Sequence, residues 1–298
     1  MSVRPIKEVI RTRPALEGAG VKLQRAFGFG KTSEFDPFLL LDDFRNENPD
    51  DYLAGFPWHP HRGIETITYV LAGNVEHGDS LGNRGSLGAG DVQWMTAGSG
   101  ILHQEMPKGD AHGRMHGFQL WANLPASLKM TKPRYQDVAA RDIPEVVDDD
   151  GTRVRVIIGD FWGQKGPVEG VAADPRYLDV SVPPRRQKRL AVDRSRNVFA
   201  YVFAGSGSFR DASAPRAVQN ELTGAADRDE TGNRSLVMFD RGDEVVVQAG
   251  DEGIRFLLVS GKPLEEPVAW YGPIVMNTDE QIRQAYAELR AGTFIKER

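Results

Sequence analysis

The 298-residue chain contains no cysteine. Disulfides, thiolate metal ligation and thiol redox chemistry are therefore excluded. An excess of positive charge is also absent. With 37 Lys and Arg against 42 Asp and Glu, the net charge is −5, so overall charge gives no footprint for nucleic acid. No apolar run reaches the length of a membrane span. The first sixteen residues, Met1 to Leu16, are charged, carry two prolines and lack an apolar core, which is not the pattern of a secretory leader. A cytoplasmic protein is expected, also nuclear in a eukaryotic host. Histidine is scarce: there are six, and all lie in the first half of the chain.

What is present is extended structure. Ile64 to Leu71, Phe118 to Trp121, Val154 to Ile158, Val198 to Phe203, Val245 to Gln248 and Ile254 to Val259 are rich in β-branched and aromatic residues and are bounded by glycine turns. Many short strands with Gly and Pro punctuation indicate a sandwich or barrel. The chain also repeats itself. Tyr69-Val70-Leu71-Ala72-Gly73 recurs as Tyr201-Val202-Phe203-Ala204-Gly205, and Gly90-Asp91 with Ala97-Gly98 recurs as Gly242-Asp243 with Ala249-Gly250. The order is kept, and the extra length of the second copy fits a polar loop from Asp211 to Gly232. Two copies of one β-domain are expected, residues 1–135 and 136–298, with the boundary inside Ala126 to Thr152. One helix is expected at about 278–290. Thr278 and Gln281 form a capping box, Ile282, Ala285, Tyr286 and Leu289 make an apolar stripe, and Gly292 stops it.

Four of the side chains suited to metal ligation fall in two pairs. His59 and His61 are spaced i, i+2, and so are His103 and Glu105. On strands, both members of a pair point to the same face. Two such strands would aim three imidazoles and a carboxylate at one point, a sulfur-free set suited to Fe(II), Mn, Ni, Cu or Zn. Glu65 is placed on the His59/His61 face if the strand stays regular. It is an alternative ligand, or preferably an acceptor that fixes an imidazole tautomer. His112 and His116 read as hydrogen-bonded or rim residues, and His77 as part of a polar turn. Shifted by the repeat, the four ligand positions become Ala191, Asp193, Arg255 and Leu257. One metal site per chain, in the N-terminal domain, is therefore expected. The cluster Arg185, Arg186, Lys188 and Arg189 reads as a solvated loop.

The motifs Phe35-Asp36-Pro37-Phe38-Leu39-Leu40, His59-Pro60-His61-Arg62-Gly63-Ile64-Glu65-Thr66, Gly90-Asp91-Val92-Gln93-Trp94-Met95-Thr96-Ala97-Gly98, Ile101-Leu102-His103-Gln104-Glu105-Met106-Pro107, His116-Gly117-Phe118-Gln119-Leu120-Trp121 and Gly272-Pro273-Ile274-Val275-Met276-Asn277-Thr278 resemble the pirin family of the cupin superfamily. The resemblance implies an all-β bicupin, two antiparallel jelly-roll barrels with a short C-terminal helix. It implies one iron, Fe(II), held by His59, His61, His103 and Glu105. It also implies either of two roles. One is a quercetin 2,3-dioxygenase-like enzyme that opens a flavonol with O₂, with Glu105 as both ligand and proton acceptor. The other is a non-enzymatic, iron-dependent redox regulator that binds a transcription factor or metabolic enzyme. A zinc-holding sugar isomerase is a third cupin reading, with no distinctive motif. Phe56, Trp58, Met115 and Phe118 are candidate walls for a planar substrate. Two barrels in one chain favour a monomer.

Overall fold

Strand propensity and glycine turns produce what the residue pattern predicts: extended segments dominate, with one helix of more than three turns. The structure, a computed structural model, describes residues 1–210 and 230–297. The polar insert expected from Asp211 to Gly232 lies outside the described residues, except for its last three. Among the described residues no helix is long and apolar enough to cross a membrane.

Two compact units divide the chain. One holds residues 13–143, 167–173 and 263–298, and the other holds 1–12, 144–166 and 174–262. This partition differs from a cut near residue 135 because the chain ends are exchanged. The first strand, Ile6–Arg11, pairs antiparallel with Ser235–Phe239 in the later unit. The C-terminal helix Asp279–Ala291 belongs to the earlier unit, where Ile282 and Ala285 pack with Ile274, Met276 and Phe294. The helix starts as expected: Thr278 Oγ1 accepts from Gln281 N–H, and Gln281 Oε1 accepts from Thr278 N–H. Gly292, at φ 70°, ends it in the left-handed region.

The earlier unit holds two larger antiparallel sheets and a two-stranded one, Ala269–Tyr271 with Ile274–Met276. The seven-stranded sheet runs Arg134–Val138, Val92–Thr96, Ile64–Ala72, His116–Asn123, Phe38–Asp43, Val21–Phe27, Arg13–Glu17. The four-stranded sheet runs Phe56–His61, Ile101–Lys108, Asn74–Asp79, Arg84–Leu87. The later unit is built on a nine-stranded sheet around a wholly apolar core that includes Val156, Leu178, Val202, Phe209, Phe256 and Leu258. Its two predicted strands at 245–248 and 254–259 are one continuous strand, Glu244–Gly261. The bend between them is absorbed by irregular pairing at Val202/Ala204 and Gly205/Gly207 of its neighbour. There Arg255 lies opposite Ser181 and forms a two-pronged ion pair with Asp179, at 2.9 and 2.6 Å. Of the basic cluster, Arg185, Arg186 and Arg189 are solvent-exposed as expected, and Lys188 is not. Lys188 is buried, donates to Asp148 and Asp150 and lies over the Trp162 ring; Arg185 pairs with Asp251 and Arg189 with Glu244.

Candidate metal centre

Two neighbouring strands of the smaller sheet bring the histidines together. His103 sits directly across from His59, and Ile101 across from His61. The ligand nitrogens of His59, His61 and His103 all lie within 4.8 Å of one another. The register then slips by one residue, so that Glu105 faces Phe56 instead of Pro57. Glu105 is buried but stands outside this close set. Its carboxylate accepts from Thr68 Oγ1 at 3.2 Å and from Gln119 Nε2, at 3.1 Å to each oxygen.

Proton bookkeeping shows what the three rings are prepared to hold. His59 Nδ1 lies 2.9 Å from the Pro57 carbonyl, and His61 Nδ1 lies 3.0 Å from the Pro273 carbonyl. A carbonyl only accepts, so each Nδ1 carries the proton and each Nε2 presents a lone pair. Those two Nε2 atoms are 3.1 Å apart. Two acceptors face each other with no proton to share. Both nitrogens of buried His103 lack a hydrogen-bond partner, an expensive state without a ligand. Burial, then the neighbouring His59 and His103, holds His61 well below the ordinary histidine range; burial, then His59 and His77, does the same for His103. Neutral imidazoles with lone pairs converging on one point are the donor set of a divalent transition metal. These residues fit that group.

A long sequence separation supplies the supporting wall. The segment 263–298 returns to the His59/His61 strand and fastens to it at three places. Pro273 receives the His61 proton. Val275 N–H donates to the Arg62 carbonyl at 3.1 Å. The fully buried Arg62 guanidinium donates to Ser99 O at 2.7 Å, Glu288 at 2.7 Å and Phe294 O at 2.9 Å, and lies over the Phe294 ring. Lys129, its pKa lowered to about 7 by burial, spends its three N–H groups on Gly63 O, Asn123 and Val275 O. The approach is so close that a Cβ on Gly63 would lie 2.0 Å from the Val275 carbonyl, and Gly63 also has φ 77°.

A cavity of about 700 Å³ opens beside the histidines. Its walls include His59, His61, Gln119, Trp121, Trp270 and Phe29. The rings form a chain: His61 to Trp121 at 5.0 Å, Trp121 to Trp270 at 5.9 Å, Trp270 to Phe29 at 5.6 Å. Arg25 also lines it, held by Asp42 at 2.8 and 2.7 Å and by Glu17 at 2.8 Å.

Several sequence expectations are corrected here. Glu65 does not touch the imidazoles. Gly63 breaks the strand, and the pleat then places Thr66 and Thr68 on the Trp121 and Glu105 side, leaving Glu65 on the opposite face, where it accepts from Thr96 at 2.7 Å. Phe118 alternates with Gln119 and so faces away from the cavity, and Trp58 is largely solvent-exposed. Phe56 does line the cavity; Met115 lines a smaller one. His77 lies on a strand, opposite Glu105, with its Nε2 3.0 Å from Gln93 Nε2. His112 sits in an exposed turn, its N–H donating to Asp110, and His116 packs edge-on against Phe118. Trp121 was legible in principle: Gln119 and Trp121 alternate with Phe118 and Leu120, and either pair could have been the inward one. Trp270, about 150 residues further along, gave no local signal.

Comparison with known proteins shows the family. The family model Pirin matches residues 20–122, and Pirin C-terminal cupin domain matches 177–295. A pirin-like protein of Caulobacter vibrioides is 43% identical over 295 residues, covering 99% of this chain and 100% of its own. Pirin of Homo sapiens is 36% identical over 283 residues, covering 94% of this chain and 90% of its own. The crystal structure of a quercetin 2,3-dioxygenase from Acinetobacter baumannii superposes with a TM-score of 0.86 at 30% identity, covering 98% of this chain and 99% of that one. With matches in both halves and near-complete alignment to such relatives, the chain belongs to the pirin family.

Proposed function

We propose that this pirin is a metal-dependent dioxygenase that cleaves a flavonol-like substrate with O₂, as the name of the Acinetobacter baumannii relative describes. The observation that carries the reading is the opposed Nε2 pair of His59 and His61, with unpartnered His103 beside them, on the wall of a cavity large enough for a flat polycyclic ligand. His59, His61 and His103, with Glu105 as the fourth ligand, would hold one divalent ion, which we assign as Fe(II). When bound, that ion supplies Lewis acidity that lowers the pKa of a coordinated 3-hydroxyl. The protein does the rest. Trp121 and Trp270 give the ligand a flat aromatic wall, and Trp121 lies against His61, so a ring stacked there has its edge at the histidines. Glu105 does not itself line this cavity but is hydrogen-bonded to Gln119, which does; we assign it as the proton acceptor for a 3-hydroxyl brought to the three histidines, its orientation set by Gln119 and Thr68. The Arg25–Asp42–Glu17 group offers polar partners to ring hydroxyls.

The test is aerobic incubation of the iron-loaded protein with quercetin, following substrate loss and carbon monoxide release. Turnover is expected, and it is expected to vanish in His59→Ala. Full turnover in that variant would remove the assignment.

A further inference from the structure

The charges on the wall of the large cavity do not cancel. Among the described residues that line it, Glu17, Arg25 and Asp42 are the only Asp, Glu, Arg or Lys side chains, one cation against two carboxylates. Asp42 is buried, and burial pushes its carboxyl up to about 6, so it is ionised at pH 8. Arg25 donates from Nε and Nη2 to Asp42 at 2.8 and 2.7 Å, and its Nη1 lies 2.8 Å from Glu17. The corner keeps one net negative charge.

Sheet register says where this corner lies. Thr68, Gln119, Asp42 and Arg25 stand opposite one another on four neighbouring strands, so they share a face. Thr68 and Gln119 hold Glu105 at one end of the row. Arg25 is two strands further on, roughly 10 Å from Gln119 at the usual strand spacing. A flat ligand of several rings held at the histidines by one edge can reach the corner with a far ring.

The corner treats two kinds of substituent differently. A carboxylate offers about four lone-pair directions; Asp42 uses two on Arg25 and Glu17 one, so a ring hydroxyl still finds acceptors. An anion could reach for the remaining N–H groups of Arg25. It would then face two carboxylates across a single cation, a repulsion strengthened by the low dielectric around buried Asp42.

We infer that Glu17 and Asp42, outweighing Arg25, are specificity-determining: they admit a neutral ring that donates hydroxyl protons and turn away one that carries a sulfonate, sulfate, phosphate or carboxylate. The inference rests on the aromatic-substrate reading of this cavity and names the class of that substrate.

The test is binding without turnover. The Fe(II)-loaded protein is titrated at pH 8 under argon, with quenching of tryptophan fluorescence as the signal, since Trp121 and Trp270 line the cavity. The probes are 3-hydroxyflavones with one sulfonamide or one sulfonate, placed at position 4′ or at position 7, the two ends away from the chelating edge. Each pair has the same shape and differs by one charge. At the position that faces the corner, the sulfonamide is expected to bind at least fivefold more tightly than the sulfonate. Glu17 is only partly buried, so Glu17→Gln is expected to fold, and it should bring that ratio below twofold while leaving the other position unchanged. Ratios below twofold at both positions in the parent, no saturable quenching by any probe, or a ratio that survives in Glu17→Gln overturns the proposal. Discrimination as expected, with no carbon monoxide released from quercetin in air, keeps the charge filter and overturns the dioxygenase reading instead.

Discussion

Replacing Arg62 with alanine is expected to destabilise the metal-free protein by about 4 kcal/mol, the range seen when one partner of a buried ion pair is removed. The magnitude follows from what each partner loses. Arg62 is 2% exposed. The carbonyls of Ser99 and Phe294 would be left without the donors that reach them at 2.7 and 2.9 Å, at about 1–3 kcal/mol each. The stacking of the guanidinium over Phe294, 4.1 Å from its centroid, is lost as well, worth up to about 2 kcal/mol when desolvated. Glu288 limits the damage, because Lys296 and Gln284 still reach it, each at 2.9 Å. Its carboxylate is not stranded, so the sum stays near the middle of the range. Urea unfolding of the metal-free protein measures the loss, and a thermal scan is expected to fall by roughly 8–16 °C. Glu288→Gln is the control: it keeps a hydrogen-bonding group opposite Arg62, and is expected to cost about 1 kcal/mol. If Arg62→Ala costs less than Glu288→Gln, the guanidinium is not what fastens the C-terminal segment, and the reasoning fails.

Three further outcomes follow from other positions. Burial raises the Glu65 carboxyl to about 7, above its ordinary 4.5, so the folded protein keeps a proton that the unfolded chain has released. This contribution is full below about pH 4.5 and is lost as pH rises through 7; Glu65→Gln, titrated with urea at pH 4 and pH 8, is expected to gain up to about 3 kcal/mol over the parent at the higher pH and almost nothing at the lower. His103→Leu removes two buried nitrogens that have no partner; calorimetry should find the metal-free variant stabilised by about 1–3 kcal/mol, while the rise in Tm that Fe(II) gives the parent disappears. Thr278→Ala breaks the capping box of the Asp279–Ala291 helix and is expected to cost about 1 kcal/mol in chemical denaturation; no change at all would mean that packing of Ile282 and Ala285 alone holds the helix.

How far the residues foretold these features depended on the range of the forces involved. The helix was legible because its cap and stripe are local. The histidine pairs were legible because alternation on a strand is local too, and the Phe56–His61 and Ile101–Lys108 strands do pair with His59 opposite His103. Glu65 was misplaced where that regularity stops: Arg62 and Gly63 turn the chain, and a strand resumed after a turn need not keep its face. The compact units differ from the sequence division for a different reason. A repeat locates two copies of a pattern, but it does not reveal which copy the ends of the chain will pair with. Residues 1–12 and 263–298 are each placed by partners that lie far away in the sequence.

That placement of residues 263–298 has a consequence for biosynthesis. A ribosome that has delivered His59, His61 and His103 has delivered neither the carbonyl of Pro273 nor the ring of Trp270. The His61 proton still has no fixed acceptor, and one side of the cavity is open to water. The three histidines therefore reach their finished environment only late in translation, although all of them were made in about the first third of synthesis.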